Sequence, residues 1–135
     1  MELVVDANVV MSTLIAPAGG TAELLFLDAL TIVAPELLRE EIEKYSKEIV
    51  IKSALSEKDF KLILAIVFSR ITVIPPSDYK DSIPAAEKCS PDPDDVAYLA
   101  LSLHRRCSLW SNDKALKKQG KVRVLSTAEL ISLLK

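Results

Sequence analysis

The chain has 135 residues, half of them hydrophobic and only 5% aromatic, so it is sized for one domain with an aliphatic core. A formal net charge of −2 argues against the broad basic face that many nucleic-acid binders carry, and leaves room for a local one. The longest unbroken apolar run, LILAIVF at 62–68, is far too short to span a bilayer, and Glu2 and Asp6 interrupt any amino-terminal apolar run, so a soluble cytoplasmic protein with no membrane role is expected.

In chain order, residues 2–6 (ELVVD) read as a short buried strand and 7–15 (ANVVMSTLI) as a helix ended by PAGG. A second helix is predicted over 21–30, capped by Thr21. Residues 31–34 (TIVA) are β-branched and strand-like. Pro35 then opens a long helix over about 36–54, and another follows from Ser56 to Arg70, where Ser56 and Asp59 resemble a capping box. ITVI at 71–74 reads as a third strand, stopped by Pro75 and Pro76. The stretch 77–91 reads as loop with one short helix. Asp92 and Pro93 open a helix to about Arg106. Residues 108–111 (SLWS) form a fourth strand, a short helix follows Asp113, and 122–125 (VRVL) form a fifth strand. A last helix covers 126–134, with Ser126 or Thr127 as cap and Glu129 near the capping-box position. Short apolar strands alternating with helices predict an α/β domain, 1–135, with a mostly parallel sheet. Sites in such sheets form at the carboxyl ends of the strands, so the residues just after each strand matter most.

Those positions are acidic. Asp6 follows the first strand, with Asn8 two residues on. Ser111, Asn112 and Asp113 follow the fourth. The helix leading into that strand begins DPDD, with Asp92, Asp94 and Asp95. On the long helix, Leu37, Leu38, Ile42 and Tyr45 mark one apolar face, and Glu41 falls inside it with Glu40 and Glu43 beside it. An acid in a core-facing stripe needs a partner, because a lone buried carboxylate is costly. Taken singly, each acid has a plain structural role: Asp92 suits an N-cap, Asp94 and Asp95 the first helical turn, Asp113 a cap after a strand. Taken together, Asp6, Asp95 and Asp113 are expected above one edge of the sheet, with Glu41 facing them. Four carboxylates cannot all ionise close together without a cation, and a hard divalent ion such as Mg²⁺ or Mn²⁺ resolves the conflict. A metal held by carboxylates, with its water, is equipment for phosphodiester hydrolysis. Cys89 and Cys107 show no CxxC or zinc spacing. The single histidine, His104, stands beside Arg105 and Arg106 at a helix end, where a capping or solvated role fits.

Four segments, VVDANVV, LLREEIEKY, DPDDVAYLALSL and LWSNDKAL, resemble in order the motifs of the PIN domain family, the nuclease fold of VapC-type toxins and of RNA-processing proteins. The resemblance spans nearly the whole chain. It implies a three-layer α/β/α sandwich around a central, mostly parallel sheet of four to five strands, with the first strand central. It implies Asp6, Glu41, Asp95 and Asp113 as the catalytic acids that hold Mg²⁺ or Mn²⁺, with Glu40 as the alternative to Glu41 in a shifted register. Asn8 and Ser111 match accessory polar positions, and Asp92 is either a fifth acid or only a cap. It implies RNA as the substrate, a homodimer, and an antitoxin protein as partner if the chain is a toxin. FKLILAIVF at 60–68 is apolar on more than one helical face, which fits either a dimer surface or deep core. Lys114, Lys117, Lys118 and Lys121, with Arg39 and Lys44, are candidates to guide phosphates, or an ordinary solvated face. The rival expectation is a catalytically silent PIN-like module that binds or scaffolds in RNA processing. An aspartyl-phosphate hydrolase fits less well, because Asn8 stands where a second acid is wanted.

Overall fold

In the computed structural model, which describes residues 1–135, the short aliphatic runs become strands of a single sheet. The strands are β1 (Glu2–Val5), β2 (Thr31–Pro35), β3 (Ile71–Ile74), β4 (Ser108–Trp110) and β5 (Val124–Leu125). Their order is β3-β2-β1-β4-β5, and every neighbouring pair is parallel. β1 is central, and Leu3, Val4 and Val5 are each 0% exposed. Helices cover both faces of a parallel sheet, so its middle strand is a continuous apolar run rather than an alternating one.

The helices are α1 (Ala7–Ile15), α2 (Gly20–Leu25), α3 (Leu37–Lys44), α4 (Ser46–Ser53), α5 (Glu57–Ser69), α6 (Pro76–Tyr79), α7 (Ile83–Cys89), α8 (Val96–Arg105) and α9 (Thr127–Leu134). α1 gathers α2, α3, α4 and α5 around it. α8 lies against β1, β2 and β4, with α6 and α7 packed on it. The result is the three-layer α/β/α sandwich, its core running through the sheet from Leu14 and Leu25 to Tyr98, Leu99 and Trp110.

Several element bounds differ from the sequence expectation, each for a local reason. The predicted helix over 21–30 begins at Gly20, with no side-chain cap from Thr21, and stops at Leu25. Beyond it the Arg70 guanidinium donates to the carbonyls of Leu25, Leu27 and Leu30, giving that tight segment partners outside a helix. Pro35 ends β2 instead of opening a helix. The long helix over 36–54 divides at Tyr45 into α3 and α4, where the Ser46 hydroxyl donates to the Glu43 carbonyl and offers the backbone a local alternative. The expected loop over 77–91 is mostly helical: α6, a 3₁₀ turn at Lys80–Ser82, and α7, with a proline in the first turn of both helices. The helix after Asp92 starts as a 3₁₀ turn, Pro93–Asp95, before α8. β5 is two residues long, because the Gln119 side chain bonds the backbone of Leu116, Lys121 and Val122 and holds that stretch as a turn. The run at 60–68 is not deep core. Phe60 and Val67 are buried, while Leu62 is 61% and Ile66 47% exposed.

Candidate functional site

The carboxyl ends of β1 and β4 lie side by side, since Val5 is in register with Trp110. The residues that follow them are therefore neighbours. Asp6 continues the ladder by donating its N–H to the Trp110 carbonyl, then turns the chain into α1 as its N-cap. Its Oδ1 accepts from the Ala7 N–H at 2.8 Å, and its Oδ2 accepts from the Ser111 hydroxyl at 2.6 Å. The residue is 7% exposed. Burial pushes the Asp6 carboxyl above the usual range and Asp113 adds to this, while the bonds from Ser111 and Ala7 oppose it.

Ser111, itself 0% exposed, is the junction of the site. While donating to Asp6, its hydroxyl accepts from the Asp113 N–H at 3.1 Å and from the Asn8 amide at 3.4 Å. The Asn8 Oδ1 is buried and has no hydrogen-bond partner. Asp113 caps the 3₁₀ turn Lys114–Lys118 by accepting from the Ala115 N–H at 2.9 Å.

Two further acids approach from other elements. Asp95 stands at the start of α8 with no side-chain cap bond. Burial, then the negative charges of Asp6, Asp113, Asp92 and Asp94, push its carboxyl up to about 7. Glu41, on α3, accepts from the Tyr98 hydroxyl at 2.7 Å. Burial raises its carboxyl too, with Asp6 and Asp94 adding and the Tyr98 bond opposing. Glu40 is exposed, so the geometry favours Glu41 of the two. Asp92 is exposed and accepts from the Asp94 N–H at 2.9 Å, so it caps its turn while adding to the field on Asp95.

The structure thus brings Asp6, Asn8, Ser111 and Asp113 into one hydrogen-bonded group, with Asp95 and Glu41 within its electrostatic reach. No three of the carboxylates lie close enough together to hold one ion in this arrangement. Asp6, Glu41 and Asp113 each have oxygens engaged by protein donors. The donor set nevertheless fits a hard divalent cation: it is all oxygen, mostly carboxylate, and includes the unpartnered amide oxygen of Asn8. Of the candidate lysines, Lys117 is paired with Glu129 of α9, while Lys114 and Lys118 are exposed and make no ion pair. Arg39 lies over the Phe68 ring at 4.7 Å, and Lys44 over the Tyr45 ring at 5.4 Å.

Two further participants appear, Asp94, read from the sequence only as a first-turn acid, and Tyr98, not singled out there at all. Asp94 adds to the field on both Glu41 and Asp95. Tyr98, 1% exposed, holds Glu41. Its spacing was the available signal, since position 98 falls one turn after Asp95 on the same helical face.

The sequence from residue 4 to residue 134 matches the family model of the PIN domain. No curated protein matches the chain. Among solved structures, it is similar to a chain in the crystal structure of VapBC2 from Rickettsia felis bound to a DNA fragment from their promoter. The TM-score is 0.69 at 15% identity, over 93% of this chain and 98% of that one. At that identity the likeness is one of fold. With the family model covering nearly every residue, the chain belongs to the PIN domain family.

Proposed function

We propose that this chain is a single-domain, divalent-metal-dependent endoribonuclease that hydrolyses RNA phosphodiester bonds, with Asp6, Glu41, Asp95 and Asp113 holding Mg²⁺ or Mn²⁺. The observation that carries this reading is the mutual field of the acids: Asp95 is pushed up to about 7 by burial and by Asp6, Asp113, Asp92 and Asp94. So concentrated a negative potential at the carboxyl edge of a parallel sheet is what a divalent cation relieves.

When bound, such a cation supplies an activated water and positive charge beside the phosphate. The chain's own residues do the rest. Ser111 and the Ala7 N–H fix the Asp6 carboxylate, and Tyr98 fixes Glu41. Asp95, at the start of α8 with no side-chain cap bond, keeps its carboxyl free to join Asp6 and Glu41 in holding the cation. Lys114 and Lys118 flank the site and attract the RNA backbone.

The resemblance to VapBC2 supports a toxin role with an antitoxin protein as partner, and we extend the reading to a homodimer acting in the cytoplasm. The test is cleavage of a labelled mixed-sequence single-stranded RNA with Mg²⁺, with Mn²⁺ and with EDTA, beside Asp6→Asn. Metal-dependent cutting that Asp6→Asn lacks is the expected result. One observation favours a second reading, a silent RNA-binding module: no three acids are gathered around a single point. Absence of both cutting and calorimetric Mn²⁺ binding would put that second reading first.

A further inference from the structure

At the opposite end of the sheet, where β4 and β5 begin and α8 ends, lies a cavity of about 340 Å³. Ser102, Arg106, Cys107, Ser108, Lys121 and Arg123 line it, and no acidic residue does. None of the three cations makes an ion pair, and none of their side chains donates a hydrogen bond within the protein. Ser102 is 1% exposed, and its hydroxyl has no partner at all. A buried, unbonded hydroxyl is uncommon, because a buried polar group without a partner is destabilising. Here it stands in the wall of a cavity whose open side is basic.

Two nearby groups do not cancel that charge. Burial, with the Glu2 charge beside it, pushes the Cys107 thiol up to about 11, so it carries no charge at neutral pH. Glu2 is itself engaged by Arg105 at 2.6 Å. The carboxyl end of α8 contributes about half a negative charge against three full positive ones. Arg106 also occupies a left-handed backbone position, φ 52°, that glycine suits better. The chain keeps a long cation there.

We propose that this cavity is a binding site for a phosphate group, separate from the carboxylate site, in which Arg106, Lys121 and Arg123 neutralise the anion and the Ser102 and Ser108 hydroxyls donate to its oxygens. Arginine forks and hydroxyls are the donors that suit phosphate oxygens. The volume admits a phosphate with part of an attached sugar. This inference stands apart from the nuclease reading, since it uses none of the residues of the carboxylate site.

The test is titration of the full-length protein with inorganic phosphate, and separately with adenosine 5′-monophosphate, followed by amide chemical shifts. Saturable shifts at residues 102–108 and 121–123 are expected. The double variant Arg106→Gln, Arg123→Gln is expected to weaken binding by about tenfold or more. Ser102→Ala is expected to weaken it severalfold while melting normally, and Asp6→Asn to leave it unchanged. Tighter binding of the nucleotide identifies a phosphate ester as the occupant, and equal binding identifies free phosphate. Failure to saturate at millimolar phosphate, or undiminished binding in a folded double variant, overturns the proposal.

Discussion

The Ser111 hydroxyl has three partners, Asp6, Asn8 and the Asp113 N–H, and each depends on it differently. Ser111→Ala removes the donor to a carboxylate that is 7% exposed. A loss of about 1–3 kcal/mol in urea unfolding is expected, with the Asp6 carboxyl rising further. Tyr98→Phe is milder: the ring still packs, Glu41 loses its anchor, and stability falls by about 1 kcal/mol. Calorimetric Mn²⁺ affinity should fall with it, whereas Glu40→Gln should leave affinity unchanged. Asp95 sets a pH dependence. Its ordinary value is 3.8 and its folded value about 7, so between them the folded chain binds more protons than the unfolded one. The Asp95 contribution to stability without metal is therefore fully present in acid, below 3.8, and is lost as pH rises through 7. The melting temperature in EDTA should fall from about pH 5 to about pH 8, and Asp95→Asn should flatten the curve. Asp6 and Asp113 stood out in the sequence because they follow strands, and Glu41 because it interrupts an apolar helical stripe. Tyr98 did not, because a tyrosine within YLALSL has the look of core and the hydroxyl's target is 57 residues away.

At the level of elements, the strands and α1 were readable because aliphatic runs and capping residues act locally. The capping box of Ser126 and Glu129 on α9 forms as its spacing predicts. Ser126→Ala should cost about 1 kcal/mol in thermal unfolding. What could not be read were the ends set by distant groups. The stop at Leu25 depends on Arg70, 45 residues later. The division of α3 from α4 rests on Ser46, whose polar side chain looks ordinary in a helical pattern. α4 closes on Ala54, which holds φ 57° without being glycine. Ala54→Gly relieves that conformation and should stabilise by about 0.5 kcal/mol.

For the whole molecule, the family resemblance implied only that the first strand is central, and the rest of the order was not legible, because strand pairing is decided by contacts far apart in the chain. The exposed Leu62 and Ile66 stand four residues apart on α5 and form one apolar strip. If that strip is the dimer seam, light scattering should give a dimer mass for the native chain and a monomer mass for Leu62→Glu, Ile66→Glu.

The central place of β1 has a consequence for how the protein is born. β1 leaves the ribosome well before one of its two partners, β4, whose Ser108 pairs with Leu3 and lies about a hundred residues later. At roughly 5–20 residues per second, that wait is about 5–20 seconds. Through it an aliphatic strand lacks one neighbour, and Asp6 lacks Ser111 and Asp113. Across that interval the nascent domain needs shelter, and its acid site comes together only once Ser111 and Asp113 have emerged.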